Sequence, residues 1–184
     1  MKSTLILAMA FAAFSFTTVK NVDVINSDIT WVGKKVTGQH DGKITLKEGS
    51  LKFNDNDQLI GGSFIMDMTT LTVEDLEGES KGKLEGHLKS DDFFSVAKHN
   101  TSKFVITKVE GKNGKYKVTG DLTIKGISFP NTFDMTVTDN NTASAQLKVD
   151  RTKYDIKFRS TSFFEGLADK AIYDDFDLNV NLKF

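Results

Sequence analysis

The stretch Lys115-Tyr116-Lys117-Val118-Thr119-Gly120-Asp121-Leu122-Thr123-Ile124 decides the fold. Tyr116, Val118, Gly120, Leu122 and Ile124 alternate with Lys117, Thr119, Asp121 and Thr123. Neighbouring side chains on a strand point to opposite faces, so this segment reads as a strand with one apolar and one polar side. The same period of two returns along the chain. Phe64, Met66 and Met68 oppose Ser63, Ile65, Asp67 and Thr69, and Phe133, Met135 and Val137 oppose Thr132, Asp134 and Thr136. Ala143, Ala145, Leu147 and Val149 alternate with Ser144, Gln146, Lys148 and Asp150, and Phe176, Leu178, Val180, Leu182 and Phe184 with Asp177, Asn179, Asn181 and Lys183. With 29–36, 42–53 and 103–110 added, the pattern predicts about eight strands. A sheet with one wet face is characteristically antiparallel.

The turns order these strands. Asn54-Asp55-Asn56-Asp57, Gly111-Lys112-Asn113-Gly114 and Asp139-Asn140-Asn141 join consecutive strands as hairpins, which makes an up-and-down meander. A two-sheet sandwich is the alternative, but closure into a barrel removes exposed edges, so the expected fold is an all-β, antiparallel up-and-down barrel. A barrel of about eight strands either fills with side chains or holds one small ligand.

Two segments break the alternation. Residues 72–96 carry Gly78, Gly82 and Gly86, read as loop glycines, then a helical turn over 83–89 and a second helix start at Ser90-Asp91-Asp92 before Phe93-Phe94. These short helices would lie in one long connection. Residues 159–175 read as a crossover or mouth loop, the kind of insertion that lines or covers an opening.

The amino terminus has a charged start, Met1-Lys2-Ser3, an apolar run over 4–16 and a small-residue exit, Thr17-Thr18-Val19-Lys20. The run falls short of the about 20 residues that span a bilayer and matches a secretory signal. Residues 1–20 are therefore expected to be removed, leaving a single domain over 21–184 in the periplasm or outside the cell, with no integral membrane segment after cleavage. With no cysteine in the chain, an exported protein must draw its stability from its core rather than from disulfides.

Composition narrows the function classes. Lys plus Arg number 24 against 25 Asp plus Glu, a net charge of -1 with no long run of either sign, which argues against nucleic acid as a partner. His40, His87 and His99 lack metal-ligand spacing, no Gly-x-Ser-x-Gly elbow is present, and there is no thiol. The pairs Asp91-Asp92 and Asp174-Asp175 read as acids beside helix starts or loops, serving capping and solvation rather than catalysis. No enzyme, metal or resident cofactor is expected. The 15 phenylalanines remain the richest resource. They fit a packed core, and equally a pocket for a flexible apolar chain, since Met66, Met68 and Met135 share faces with Phe64 and Phe133.

Several segments resemble the YceI-like family of secreted lipid- or polyisoprenoid-binding proteins. These are Asn26 to Gly33 with Lys35 to Gly42, Gly62 to Met68, Gly86 to Val96 with its His87-Leu88-Lys89-Ser90-Asp91-Asp92-Phe93-Phe94, Phe104, Gly120 to Gly126, and Asp150 to Ile156. The resemblance implies a lipocalin-like barrel around a long apolar pore, a polyisoprenoid, quinone-type or similar amphiphilic lipid as ligand, and no catalysis. Phe64, Met66, Phe93, Phe94, Phe104, Leu122, Phe133, Met135 and Phe176 are the ligand-binding candidates. The first strand departs from the family pattern, with Trp31 and Gly33-Lys34-Lys35 in place of the phenylalanine and histidine of many members. Lys35 and His40 are then candidates for contact with a polar head group, against a reading as solvated loop residues. A carrier or storage role follows, with an apolar lipid as partner and room for a homodimer. The alternative is a filled barrel acting through its surface as a stress-related interaction module.

Overall fold

The computed structural model describes residues 16–184. The first fifteen residues of the expected signal lie outside the described residues. The strands are β1 (Thr18–Asn21), β2 (Asp28–Lys35), β3 (Gly38–Phe53), β4 (Leu59–Val73), β5 (Thr101–Lys112), β6 (Lys115–Ile124), β7 (Ile127–Thr138), β8 (Thr142–Asp150) and β9 (Ile172–Lys183). Each of β2 to β9 pairs antiparallel with its successor, and β9 returns to β2 with Ile29 opposite Val180 and Trp31 opposite Leu178. Eight strands therefore form a closed up-and-down ring. β1 is an extra strand on the edge of β3, Thr18 opposite Phe53, in line with β2.

Asn113-Gly114 and Lys125-Gly126 join their strands as two-residue turns, and all four residues have positive φ. That is the backbone a twisted hairpin requires and the reason glycine stands second in each. Register shifts at Lys43/Thr45, Leu46/Glu48 and Ile106/Lys108 supply the extra twist that lets long strands curl into a barrel. Gly120 serves close packing. A β-carbon there would run into the Phe104 ring and stand 2.5 Å from the Val105 carbonyl oxygen, and the backbone cannot yield. Gly120→Val is expected to cost about 1 to 3 kcal/mol, read as a lower urea midpoint.

The end carrying the Asn54–Asp57, Asn113-Gly114 and Asp139–Asn141 turns is packed solid. Leu51 and Val118 are 0% exposed and Phe53 2%, with Tyr116, Leu59 and Ala143 buried beside them. At the other end β7 and β8 pair only over Met135–Thr138, then splay. The 3₁₀ turn Arg151–Tyr154 fills the split, where Phe129 packs edge-on against the buried Tyr154 ring at 5.8 Å. Burial pushes the Tyr154 hydroxyl up to about 12.

Three expectations need correction. The long connection after β4 holds one α-helix, α1 (Gly78–Lys89), and Ser90 to Phe94 is a turn rather than a second helix. Gly78 opens α1 and Gly82 and Gly86 sit inside it, so none of the three is a loop glycine; a β-carbon at each would meet open space. Leu84 and Leu88 against the core and the Glu79–Lys83 and Lys81–Glu85 pairs one turn apart support the helix despite its glycines. Asp174 and Asp175 lie on β9, which begins at Ile172.

Candidate functional site: an apolar cavity open at one end

The packed end and the hollow end share one barrel. Above the Leu51–Phe53 plug, the inward faces enclose a cavity of about 160 Å³ with an almost wholly apolar lining. Its room traces to small residues: Ala145 on β8 faces across the ring toward Phe64 and Met66 on β4. All nine candidate residues, Phe64, Met66, Phe93, Phe94, Phe104, Leu122, Phe133, Met135 and Phe176, line this space. Their placement follows from strand parity for seven of them. Phe93 and Phe94 come instead from the turn after α1.

That turn explains the His87–Phe94 segment. Ser90 Oγ donates to the His87 carbonyl at 2.7 Å, and the Ser90 carbonyl accepts from Phe93 N and Ser95 N. The chain thereby doubles back and drops Leu88, Phe93 and Phe94 over the barrel mouth. The His87 ring is clamped edge-on between Phe93 at 5.1 Å and Phe158 at 4.5 Å, its Nε2 buried without a partner.

Sequence patterning missed Trp31 and Arg151. The Trp31 indole lies against Gly42, where a β-carbon would collide with it, and donates Nε1–H to the Thr72 carbonyl at 3.1 Å. Arg151, 3% exposed, touches the cavity and donates to the carbonyls of Ile156 (2.7 Å), Tyr173 (3.0 Å) and Ile172 (3.0 Å). Its guanidinium also lies 3.5 Å from Asp174 and over the Phe93 ring. Burial draws its pKa below the ordinary arginine value, against the pull of Asp174 and Asp150.

At the rim the lining turns polar, with Lys34, Arg151, Tyr173 and Asp175. Lys34, not Lys35, reaches the opening. His40 faces away, its Nδ1 2.8 Å from Asp75 outside the cavity. Just outside the rim, Asp177 accepts from Lys34 at 2.7 Å and Lys148 at 3.1 Å. The Lys34 hydrogen bond, helped by Lys148 and opposed by partial burial, holds the Asp177 carboxyl below its ordinary range. A depressed folded-state pKa stabilises the fold above the unfolded value of about 3.9 and is lost as pH falls through the folded value. Asp177→Asn is expected to make the decline of stability with acid shallower below about pH 4, measured by urea titrations at stepped pH. Among the described residues, no group of three or more His, Asp or Glu is placed to hold a metal ion, and no helix is long and apolar enough to cross a membrane.

A closed antiparallel barrel, plugged at one end and hollow at the other, defines a lipocalin-like cavity protein. The YceI-like domain model matches residues 21–184, and the chain belongs to that family. A UPF0312 protein of Shewanella denitrificans is 34% identical over 90 residues, 48% of this chain and 44% of that protein. The chain spans under half the length of the curated relatives it matches. BcnA of Burkholderia cenocepacia superposes with a TM-score of 0.69 at 19% identity, over 88% of this chain and 98% of BcnA. A polyisoprenoid binding domain from Saccharophagus degradans, implicated in plant cell wall breakdown, superposes with a TM-score of 0.60 at 12% identity, over 88% and 95% of the two chains. At these identities the two structures share the fold alone.

Proposed function

We propose that the protein binds a long-chain apolar lipid, a polyisoprenoid, a quinone-type molecule or a similar amphiphile, in the barrel interior, and that it acts as an exported periplasmic carrier or storage protein rather than an enzyme. The observation that carries this reading is the apolar cavity behind Phe94 and Phe176, open at a rim bearing Lys34, Tyr173 and Asp175. The polyisoprenoid binding domain of the same fold supports the ligand class. An apolar chain buried there gains about 25 cal/mol per Å² with no polar contact required, so affinity follows buried length rather than chemical detail.

Size sets the mode of binding. A cavity of 160 Å³ is on the scale of the roughly 150 Å³ that holds a benzene-sized guest, and below the roughly 300 Å³ of drug-sized pockets. The resting cavity accommodates the end of a chain, and longer chains enter as Met66, Met68 and Met135 turn aside, a motion that unbranched side chains allow. Titration with prenyl alcohols of increasing length tests this, with saturable one-to-one uptake expected and affinity rising with length until the plug is reached. Absence of uptake at every length overturns the reading. Export is tested separately by cell fractionation and intact mass. Cleavage ahead of Thr18 keeps β1 on the edge of β3, whereas cleavage after Lys20 removes it.

A further inference from the structure

We infer that the open end of the barrel docks on a phospholipid surface through the loop bearing Phe163 and Phe164, and that the apolar ligand passes between bilayer and cavity at that contact. This rests on the ligand-binding reading above. Phe163 and Phe164 are adjacent in sequence and each 50% exposed. The preceding Ser162 hydroxyl donates to Asp174 on β9 at 2.5 Å, which fastens the loop to the segment whose Tyr173 and Asp175 form the rim. Val36, at the β2–β3 turn beside Ala171, and Tyr173 are exposed at the same end. Clustered apolar exposure of this kind marks a surface made for contact.

The exposed rings, with cations beside them at the mouth of an apolar cavity, point to the partner. Lys157 lies over the Phe163 ring at 5.1 Å and Arg159 over Phe158 at 5.1 Å. Cations held beside aromatic rings suit the boundary where lipid phosphates meet acyl chains. Lys153, Arg159 and Lys170 are exposed and, among the described residues, pair with no carboxylate; Lys157 is held by Asp155 at 2.7 Å, and Glu165 and Asp169 of the same loop are exposed and pair with no cation. The surface is thus mixed in sign, and it is the exposed ring pair with cations beside it, rather than net charge, that suits a headgroup layer over acyl chains. Contact also removes a cost, since a chain leaving the cavity through water would expose apolar surface at about 25 cal/mol per Å².

The test is flotation of the protein, as its host processes it, with dioleoylphosphatidylglycerol vesicles, beside the F163S/F164S and F163L/F164L variants. The amino terminus is common to all three. The wild type and the leucine variant are expected to float with the vesicles, and the serine variant to bind at least roughly tenfold more weakly. Cavity uptake of N-phenyl-1-naphthylamine from water is expected to be equal in all three, while transfer of that probe from vesicles is slower for the serine variant alone. Equal flotation of the serine variant and wild type overturns the inference. So does a wild type that ignores vesicles and instead forms a dimer that the serine substitutions dissolve, because a second copy then covers the patch. Phenylalanine-dependent flotation without probe uptake would uphold docking and sink the cavity reading instead.

Discussion

Arg151→Ala is expected to lower the unfolding free energy by about 3 to 5 kcal/mol. The side chain is 3% exposed and three of its five donors are spent on the carbonyls of Ile156, Ile172 and Tyr173, with Asp174 3.5 Å away. Truncation strands those acceptors and an uncompensated carboxylate where water has little access, and each buried orphan costs about 1 to 3 kcal/mol. Lysine cannot rescue the site, because one ammonium does not reproduce the planar fork that reaches three carbonyls. A urea midpoint gives the size of the loss, and hydrogen exchange gives its place. Protection is expected to fall first across 151–175, since Arg151 joins the 3₁₀ turn to the start of β9, while the plug around Leu51 holds. Wild-type stability in the variant would mean that these contacts are incidental.

Ala145→Phe is expected to abolish lipid uptake, about a hundredfold or more in affinity, and to leave stability within about 1.5 kcal/mol of wild type. The methyl of Ala145 faces the hollow of the barrel across from Phe64 and Met66. A phenyl ring there occupies the volume that a ligand would take. The contrasting substitution is Phe53→Ala in the plug, where the side chain is 2% exposed and packs on Phe184 at 5.7 Å. It should cost about 3 to 5 kcal/mol and spare uptake in whatever fraction remains folded. Opposite responses at the two positions, in paired denaturation and binding curves, would separate the packed half of the interior from the hollow half.

The barrel was legible because strands write their inward faces in the sequence at a period of two. Phe64, Met66, Phe104, Leu122, Phe133, Met135 and Phe176 fell on the cavity wall by parity alone, and hairpin signals such as Asn113-Gly114 ordered the strands. Parity says nothing about whether the interior is full. Ala145 and the Phe53 plug have the same inward address, and only the joint packing of eight strands decides which end closes. Arg151 escaped notice because hydropathy places arginine outside; the carbonyls that pay for its burial come from Ile172 and Tyr173, 21 and 22 residues away. The helical turn over 83–89 was legible, but the first half of α1 was hidden by its glycines, since the leucines that hold the helix gain their stability from the barrel and not from the helix. Asp174-Asp175 read as loop because acidic pairs are poor strand formers, yet pairing of Asp175 with Asp150 of β8 carries the strand through them.

The central claim is that the hollow end holds an apolar lipid, and native mass spectrometry with organic extraction tests it most directly, on protein purified from its own host without detergent. A co-purifying isoprenoid, quinone or comparable long-chain amphiphile, bound one to one and absent from Ala145→Phe, is the result expected. A wild-type protein that is empty as isolated and stays empty when offered such lipids would contradict the claim.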